Sequence, residues 1–414
     1  MYGLKEVFHN REQVNIFKSV DKLKWHRERG KHDLVMKKLK SSLSRVSCDS
    51  NPFLYNMILN EMEITQKKIF LESKPRQLGV NLTHNCNIRC RMCFYPNSPW
   101  DIPAKTADQI KEYLPYLQRV FWQGGEPFFS PYFKELFDKG SANPYLRQTI
   151  ITNGLLIDDE WAKKLVSNKV TIVVSIDGIN KETYEYIRTG GKYDNLIQVL
   201  GALNKHREKY FKNNNVCPFN FETIMQVTIM RYNYREISGF LDFAKKHGFD
   251  ALNIIPIQNV FGEENIFYHK NPEALSYLAK VLPAMQRQAK HYRIRFQNQL
   301  PQVGDFNSQQ HNLGGRKETP TVEGDSGRGG NNLLSCYWPW YSLFILFEGR
   351  VKPYGFCRND VEWDLKDHSL QEIWNNRMMQ SYRKKIIEND NKDFCETRCL
   401  SGIISKKELG LEMK

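Results

Sequence analysis

Short apolar segments alternate with amphipathic helices from residue 77 to about residue 260, and this alternation limits the fold more than any other feature. Some segments are unbroken apolar runs such as Ile172-Val-Val, as expected for strands buried on both faces of a sheet. Strand–helix units that follow one another predict a parallel sheet with right-handed connections. The predicted strands are Leu78–Thr83, Val120–Gly124, Thr149–Asn153, Val170–Asp177, Phe221–Ile229 and Ala251–Ile257.

The α/β region, residues 77–300, is predicted to be a partial (β/α)6 barrel of the TIM type, because six units are too few to close an eight-unit barrel. Residues 1–76 have apolar side chains at helical spacing and are predicted to form an N-terminal helical extension. The glycine-rich stretch 301–335 is predicted to be a linker or a lid. Residues 336–414 are predicted to form a small cysteine-rich C-terminal module.

The chain is basic, with 60 Lys and Arg residues against 46 Asp and Glu residues and a net charge of +14. Half of this excess lies in residues 18–45, where ten basic residues accompany three acidic ones. Such a run is commonly a solvated helix face. The alternative is a contact surface for an anionic substrate, a carrier or a membrane headgroup. No nucleic-acid recognition motif accompanies the charge, so nucleic acid is not an expected partner.

The sequence gives no sign of membrane insertion or export. It contains no apolar run of about 18 residues, which a membrane-spanning helix requires. Its N-terminus has neither an apolar core nor a cleavage site of the signal-peptide kind. We therefore expect a cytoplasmic protein, and in that reducing compartment its clustered cysteines are expected to bind metal rather than form disulfides.

The first cysteine group is Cys86, Cys90 and Cys93, spaced C-x3-C-x2-C directly after the first predicted strand. This position is the edge of the sheet where barrel enzymes build their active sites. Three thiolates can hold three irons of a [4Fe–4S] cube and leave the fourth iron open, as a catalytic centre requires. A structural zinc site is the alternative, although zinc motifs usually pair two such cysteine pairs.

A glycine-rich turn follows the second predicted strand and consists of Gly124, Gly125, Glu126 and Pro127. The glycines allow the backbone to approach a ligand closely, and Glu126 offers a charge partner for an ammonium group. Together with the three-cysteine string, this turn resembles the radical S-adenosylmethionine (SAM) superfamily, although Met92 replaces the family's usual aromatic residue. The resemblance implies that SAM chelates the open iron and that one electron splits it into methionine and a 5′-deoxyadenosyl radical. It also implies that residues 124–127 bind the methionine amino group.

Further polar residues follow the next predicted strands. Asn153 stands in Thr-Asn-Gly, Ser175 and Asp177 stand in Ser-Ile-Asp-Gly, and Arg188 comes after a short helical pattern. The resemblance implies that these four side chains contact SAM. Turn formation is the alternative for Asn153 and Asp177, because Asn-Gly and Asp-Gly are common turn sequences.

The second cysteine group comprises Cys336, Cys357, Cys395 and Cys399. A hairpin with its turn at Glu348-Gly349 is predicted to bring the first two together, and a helix from Leu370 to about Ile386 leads to the others. Four thiolates form a closed site for a second [4Fe–4S] cluster, with zinc as the alternative. The pattern resembles the SPASM and Twitch auxiliary-cluster domains, and four cysteines fit the shorter, single-cluster version.

The resemblance implies an enzyme that abstracts hydrogen from a C–H bond of a small-molecule, sugar, aminocyclitol or glycan substrate. The auxiliary cluster would accept an electron, which makes the reaction a dehydrogenation, and flavodoxin or ferredoxin would supply the reducing electron. One alternative is a maturase that modifies peptides. Another is an epimerase, for which Cys48 or Cys217 could donate hydrogen. A zinc or cluster scaffold is the non-enzymatic alternative.

Overall fold

The structure is a computed structural model, and it divides the chain into two compact units. The N- and C-terminal unit comprises Met1–Asn85, Asn97–Ile150 and Gly330–Lys414, and the central unit comprises Cys86–Pro96 and Ile151–Gly329. The structure describes residues 11–95, 99–168, 170–214, 221–301, 334–346, 349–355, 357 and 364–390. No helix in these ranges is long and apolar enough to cross a membrane.

The described residues form eleven strands and thirteen α-helices. The strands are β1 (Gln77–Asn81), β2 (Arg89–Cys90), β3 (Arg119–Gln123), β4 (Arg147–Thr152), β5 (Thr171–Ser175), β6 (Arg188–Thr189), β7 (Glu222–Ile229), β8 (Ala251–Pro256), β9 (Arg295–Asn298), β10 (Ser342–Ile345) and β11 (Val351–Lys352). The helices are α1 (Arg11–Arg27), α2 (His32–Leu43), α3 (Pro52–Thr65), α4 (Ala104–Tyr113), α5 (Phe133–Ser141), α6 (Asp159–Ser167), α7 (Lys181–Ile187), α8 (Tyr193–Asn214), α9 (Phe240–Lys246), α10 (Pro272–Tyr292), α11 (Trp338–Tyr341), α12 (Leu370–Trp374) and α13 (Arg377–Ile387).

The predicted N-terminal helical extension is present as α1, α2 and α3, which share an apolar interior. Asn51 caps α3 by accepting a hydrogen bond from the Leu54 amide at 2.9 Å, and Pro52 occupies the first turn, where no amide hydrogen is needed. The interior of the three helices consists of Ile16, Val20, Leu23, Val35, Leu39, Val46, Phe53, Leu54, Met57 and Ile58. A hydrophobic core therefore stabilises the packing of these three helices, and charge pairs alone do not account for it.

The sheet of the N- and C-terminal unit has the strand order β11-β10-β1-β3-β4. Strand β1 lies parallel to both β3 and β10, and β10 and β11 form the predicted antiparallel hairpin, with Ile345 opposite Val351. The parallel pairing of β10 with β1 was not predicted. Gly79 permits it, because a Cβ at that position would lie 2.1 Å from the Phe344 ring of the neighbouring strand.

The sheet of the central unit contains β5, β7, β8 and β9 in that order, and all of its strands are parallel. Strands β5, β7 and β8 are the last three of the six predicted strands. Strand β9 was not predicted, because its sequence Arg-Phe-Gln-Asn is polar and mostly exposed, so no apolar run marks it. All six predicted strands are present, and the predicted parallel α/β fold is confirmed.

The helix predicted from Leu370 to Ile386 is instead divided into α12 and α13, so this prediction is wrong in one detail. At the break, the Asn375 side chain accepts from the Leu71 amide at 2.9 Å and donates to the Leu71 carbonyl at 2.7 Å. Asn376 then caps α13. Asparagine favours such local polar contacts over helix continuation. Most of the predicted linker, residues 302–333, lies outside the described residues, as do Cys217, Cys395 and Cys399.

Candidate active site

The three-cysteine loop is anchored by its backbone to the segment that follows α7 in the central unit. Cys90 lies in β2, which pairs antiparallel with β6 so that Cys90 stands opposite Arg188. The Cys93 amide donates to the Cys90 carbonyl at 3.1 Å and closes a turn. Met92 packs against a buried cluster of Ile187, Met230 and Ile257, which accounts for an apolar residue just before the third cysteine.

Two side chains donate hydrogen bonds to the thiols of this loop. Asn153 follows β4, and its Nδ2 lies 3.6 Å from Cys86 Sγ and 2.8 Å from Asn87 Oδ1. Arg188 Nη1 lies 3.6 Å from Cys90 Sγ. Hydrogen bonds to sulfur stabilise the thiolate and tune the potential of an iron–sulfur cluster. The structure therefore brings two of the predicted SAM-site residues to the cysteines themselves.

The three thiols lie close enough for their charges to interact. Burial raises the pKa of Cys90 to about 11, the Arg188 guanidinium opposes this rise, and negative charge on Cys93 or Cys86 adds to it. A positively charged iron–sulfur centre would remove that repulsion, and thiolates are the ligands that such centres prefer. The residues present therefore fit a cluster.

Across the described ranges, no group of three or more His, Cys, Asp or Glu side chains is arranged to hold a single metal ion. This does not argue against a cluster. Each thiolate of a three-cysteine site binds a different iron of the cube, so the sulfur atoms need not converge on one point as the ligands of a zinc ion do.

Asp177 is fully buried, and its polar atoms are engaged within the protein. One carboxylate oxygen accepts from Arg188 Nη2 at 2.6 Å, and the other accepts from the Thr228 amide at 2.7 Å. The backbone carbonyl of Asp177 accepts from Asn233 Nδ2 at 2.8 Å. The carboxylate keeps Arg188 charged and fixes its guanidinium beside Cys90. The structure thus assigns Asp177 a positioning role through Arg188.

The glycine-rich turn lies against the backbone of residues 83–85. The Gly125 amide donates to the Thr83 carbonyl at 2.6 Å, and the Glu126 amide donates to the Asn85 carbonyl at 2.9 Å. A Cβ on Gly125 would lie 2.3 Å from the Asn85 carbonyl oxygen, and Gly124 has a φ of +140°. Only glycine fits both positions. Because Asn85 directly precedes Cys86, this turn fixes the backbone from which the cysteine loop begins.

The remaining predicted site residues lie at strand ends, as expected. Glu126 is fully buried and begins the short helix Pro127–Phe129, where its side chain accepts from the Phe128 amide at 3.3 Å. Ser175 is the last residue of β5 and is half-buried opposite Gln226 of β7.

Sequence reasoning missed three partners of these residues: Asn87, Thr228 and Asn233. Asn87 lies inside the cysteine loop and could have been noticed as a polar neighbour of Cys86. Thr228 acts through its backbone amide and Asn233 comes 56 residues after Asp177, so no local pattern marks either one.

In the second cysteine group, the structure describes Cys336 and Cys357, both half-buried. Trp338 stacks on Tyr354 with ring centroids 4.5 Å apart and planes 7° from parallel. Lys352 Nζ also donates to the Cys357 carbonyl at 2.9 Å. The stacked rings bring the two cysteine segments together, in agreement with the predicted hairpin. A shared cluster with Cys395 and Cys399, which lie outside the described residues, stays a prediction.

The N-terminal helices contact the segment that follows Cys336. Glu61 in α3 accepts from Arg27 Nη1 at 2.5 Å and from Arg76 Nη1 at 2.6 Å. The Arg27 guanidinium lies 5.1 Å from the centroid of the Tyr337 ring, and that of Arg76 lies 4.8 Å from Tyr341. Burial opposes ionisation of Glu61, but the two arginines hold its pKa at about 2. Arg27 therefore belongs to a buried ion network and not to a solvated basic face.

Two family models match the chain. A model of the radical SAM superfamily matches residues 80–244, and a model of an iron–sulfur cluster-binding domain, SPASM, matches residues 336–400. The first match contains the cysteine loop, the glycine-rich turn and Arg188. The second begins at Cys336 and reaches past Cys399.

Two curated relatives are named as maturing enzymes. A mycofactocin maturase of Mycobacterium tuberculosis is 28% identical over 181 residues, which are 42% of this chain and 43% of the relative. A cysteine-type anaerobic sulfatase-maturating enzyme of Clostridium novyi is 25% identical over 213 residues, 46% of this chain and 53% of the relative. The match thus spans about half the length of these relatives.

Among solved structures, Streptococcus suis SuiB bound to the precursor peptide SuiA superposes with a TM-score of 0.55 at 16% identity. The superposition covers 79% of this chain and 71% of SuiB. At this identity the likeness shows the fold, and it agrees with the predicted partial barrel. The two family models thus identify residues 80–244 as a radical SAM domain, a family whose enzymes use SAM and a [4Fe–4S] cluster, and residues 336–400 as a SPASM-type iron–sulfur cluster-binding domain.

Proposed function

We propose that this protein is a radical SAM maturase that oxidises a C–H site in a peptide substrate. The observation that carries the proposal is the superposition on SuiB, which extends over 79% of this chain and whose structure holds a precursor peptide. The two curated relatives that are maturing enzymes add support. The comparisons thus favour a peptide over the sugar, aminocyclitol or other small molecule expected from the sequence.

In this proposal Cys86, Cys90 and Cys93 hold the [4Fe–4S] cluster at its three ligated irons. When bound, this cluster and SAM supply the 5′-deoxyadenosyl radical that removes hydrogen from the substrate. Asn153 and Arg188 stabilise the negative charge of the thiolates through N–H···S hydrogen bonds.

The proposal also assigns individual residues to the binding of SAM. The turn of Gly124, Gly125, Glu126 and Pro127 binds the methionine amino group, because glycine at two positions keeps the backbone uncovered and Glu126 supplies negative charge. Ser175 offers a hydroxyl for the ribose or carboxylate of SAM. Arg188 and Asp177 contribute by fixing the loop rather than through direct contact with SAM.

The C-terminal cysteines give the proposal its oxidative outcome. Cys336 and Cys357, with Cys395 and Cys399, are proposed to hold the auxiliary cluster as a fully ligated site. The substrate gives up one hydrogen atom to the 5′-deoxyadenosyl radical and then one electron and one proton, which together make a two-electron oxidation. A closed four-thiolate site suits electron acceptance because it leaves no iron open for SAM.

An isotope experiment tests the substrate class and does not require the substrate to be purified. Cells of the source organism are grown in deuterated medium, and their extract is separated into a small-polypeptide fraction and a metabolite fraction free of peptides. Each fraction is incubated anaerobically with the enzyme, unlabelled SAM and dithionite. We expect deuterated 5′-deoxyadenosine from the polypeptide fraction, because hydrogen abstraction moves deuterium from substrate to cosubstrate.

The Cys90→Ala variant serves as the control and should give no 5′-deoxyadenosine with either fraction. Deuterium that enters only from the metabolite fraction would replace the peptide proposal by the small-molecule one. Protease treatment of the polypeptide fraction should remove the signal, and a signal that survives complete digestion to amino acids would also contradict a peptide substrate.

A further inference from the structure

The N-terminal helices α1 and α2 have an outer surface that carries exposed cations and exposed apolar side chains. On α1, Ile16, Val20 and Leu23 are buried in the interior shared by α1, α2 and α3. A step of two residues turns an α-helix by about 200°, so the residues two positions further along lie on the opposite face. These residues, and the position at which the same face reaches the following turn, are all exposed; they are Lys18, Lys22, Trp25 and Arg29.

Helix α2 has the same arrangement. Val35 and Leu39 are buried, and Lys37, two positions after Val35, lies on the opposite face and is exposed. Leu34 in the first turn of α2 is 39% exposed although it is apolar, and Trp25 in the last turn of α1 is 43% exposed. Both side chains therefore flank the turn that joins the two helices. The other exposed basic residues of this turn and of α2 are Lys31, Lys38 and Lys40.

This surface has a large excess of positive charge. Asp21 pairs with the buried Lys24 at 2.9 Å, and Glu28 pairs with the buried Arg27 at 3.3 Å. In residues 18–40, Asp33 is the one carboxylate outside these pairs, and seven exposed basic residues have no carboxylate partner among the described residues. Seven positive charges against one negative charge leave an excess of six. The seven residues are Lys18, Lys22, Arg29, Lys31, Lys37, Lys38 and Lys40.

The kind of charge favours an extended anionic partner. Six of the seven cations are lysines. Lysines carry hydrated point charges on flexible chains, whereas arginine is preferred where a single carboxylate or phosphate is held in a fixed geometry. A layer of anionic lipid headgroups offers such a diffuse negative surface. A nucleic acid also attracts lysines, but its phosphate backbone offers no apolar region for Leu34. Exposed tryptophan and leucine among lysines are instead typical of helices that lie on a bilayer.

We propose that the outer surface of α1 and α2 binds the anionic headgroups of a lipid bilayer and that Trp25 and Leu34 enter the bilayer interface. The Arg29 guanidinium lies 3.2 Å from the centroid of the Trp25 ring, so a positive charge accompanies the indole to the headgroup layer. Such contact is peripheral, and no helix of the described residues is long and apolar enough to cross the bilayer. This binding goes beyond the proposed function and does not depend on the substrate of the enzyme.

Sedimentation with lipid vesicles tests the proposal on the anaerobically purified holoenzyme. The vesicles contain either phosphatidylcholine alone or phosphatidylcholine and phosphatidylglycerol in equal parts. We expect binding to the vesicles with phosphatidylglycerol and none to pure phosphatidylcholine, because the charge of the headgroups drives the contact. Raising the salt concentration from about 0.1 M to about 1 M should release most of the protein, because the screening length falls from about 10 Å to about 3 Å.

Two double variants compare this surface with basic residues elsewhere in the chain. Lys22→Gln/Lys37→Gln should weaken binding about 25-fold, because each basic residue near an anionic bilayer strengthens the attraction about fivefold. Arg287→Gln/Lys290→Gln removes the same charge from exposed positions of α10 and should weaken binding less than about twofold. Both variants should cleave SAM at the wild-type rate in solution, which shows that neither change has damaged the fold.

A Trp25 variant tests the apolar part of the contact. Transfer of an exposed indole from water to the bilayer interface moves its fluorescence to shorter wavelength, so the anionic vesicles should shift the emission of the wild type. The shift should be absent from Trp25→Ser, which should also bind the vesicles more weakly. Tyr268→Ser is the matched control, because Tyr268 is an aromatic residue that is 50% exposed and belongs to neither helix. It should keep both the shift and the affinity.

Failure to bind the anionic vesicles would refute the proposal. Equal losses in the two double variants would show that the vesicles attract the basic chain as a whole and not α1 and α2, which would also overturn it. Displacement by inorganic phosphate at matched ionic strength would indicate a site for free phosphate rather than for a bilayer. Displacement by duplex DNA or by polyglutamate, each supplied at the same negative charge as the lipid, would identify the partner as a nucleic acid or an acidic protein instead.

Discussion

Arg188 is the residue on which the cysteine loop depends most directly. Its guanidinium is buried between a carboxylate and a thiol, 2.6 Å from Asp177 and 3.6 Å from Cys90 Sγ. A buried charge is tolerable only when it is paired and hydrogen-bonded, and Asp177 provides both. Arg188 therefore places a positive charge beside the Cys90 thiol, and the Asp177 carboxylate balances that charge within the protein.

Replacement of Arg188 by Gln should lower the midpoint potential of the SAM-binding cluster. The variant loses a positive charge and an N–H···S bond that both stabilise the more negative, reduced state, so reduction becomes harder. We expect SAM cleavage to slow about 10- to 100-fold. Redox titration monitored by paramagnetic resonance gives the potential. Arg231→Gln, which breaks an exposed pair with Glu263, is the control. Equal potentials in the two variants would remove Arg188 from the cluster environment.

Two cysteine variants test whether the three-cysteine loop holds the SAM-binding cluster. Cys90→Ala leaves two thiolates for the cube and should abolish 5′-deoxyadenosine formation. Cys48→Ala removes a thiol from the N-terminal helical region and should leave SAM cleavage unchanged. Chromatography of the nucleoside product measures both. Wild-type product from Cys90→Ala would refute the cluster assignment.

Among the structural elements, the turn after β3 and the segment after β1 depend on each other. Their backbones approach so closely that a Cβ on Gly125 would lie 2.5 Å from the His84 carbonyl oxygen. Because backbone atoms cannot be moved aside as a flexible side chain can, this contact determines where the chain enters the cysteine loop.

Gly125→Ala should therefore impair the site. We expect a loss of about a hundredfold in SAM cleavage, because a shift of about 1 Å in a positioned group has an effect of this size. Gly201→Ala is the matched substitution, because Gly201 lies in α8 with no atom within 4 Å of an added Cβ. It should leave activity unchanged and stabilise the fold by about 0.5–1 kcal/mol. If both variants retain wild-type cleavage rates, the close approach has no part in the site.

The Glu61 network ties α1 and α3 to the residue before β1, and it gives a pH-dependent prediction. Glu61→Gln leaves two buried guanidinium groups without their carboxylate and should cost about 3–5 kcal/mol of unfolding free energy at pH 7. The folded-state pKa of Glu61 is about 2, below its ordinary value of 4.5. Its stabilisation is therefore full above pH 4.5 and is lost as the pH falls towards 2.

Denaturant unfolding at several pH values measures this effect. The difference between wild type and Glu61→Gln should stay constant from pH 7 to about pH 5 and shrink below it. Glu12→Gln is the control, because Glu12 and Arg45 form an exposed pair at 3.7 Å that contributes less than about 1 kcal/mol. A Glu61 difference as small as that of Glu12 would contradict the network.

Across the whole molecule, the sequence predicted those structural features that are encoded by residues close together in the chain. Apolar runs predicted all six core strands, and the turn at Glu348-Gly349 predicted the hairpin of β10 and β11. Strand β9 has no apolar run, and the pairing of β10 with β1 joins Gly79 to Phe344, which are remote in sequence. Such pairings depend on which surfaces meet in the folded protein. A repeating pattern of apolar residues within one segment therefore does not predict them.

The site was predictable to the same degree. The cysteine spacing identified the three-cysteine loop, and the run Gly124-Gly-Glu-Pro identified the turn that packs against it. Both could be recognised because cluster binding by the cysteines and a close backbone approach by the glycines each require residues at fixed, short spacing in the sequence. The engagement of Asp177 with Arg188 was not predicted, since burial decides whether a carboxylate faces a ligand or an arginine. The burial of Arg27 was missed for the same reason, because a basic run looks solvated until its packing partner is known.

Two cysteine groups in one molecule predict two separable sets of iron. Wild-type protein purified anaerobically should hold about eight irons, the Cys86→Ala/Cys90→Ala/Cys93→Ala variant about four, and the Cys336→Ala/Cys357→Ala variant about four. The last variant should still cleave SAM but should lose the oxidised product, because its substrate radical has no electron acceptor. Iron, sulfide and zinc assays on the same samples test this directly. Zinc in place of the second set of irons would show that the C-terminal domain is structural, and oxidation of the substrate would then require another acceptor.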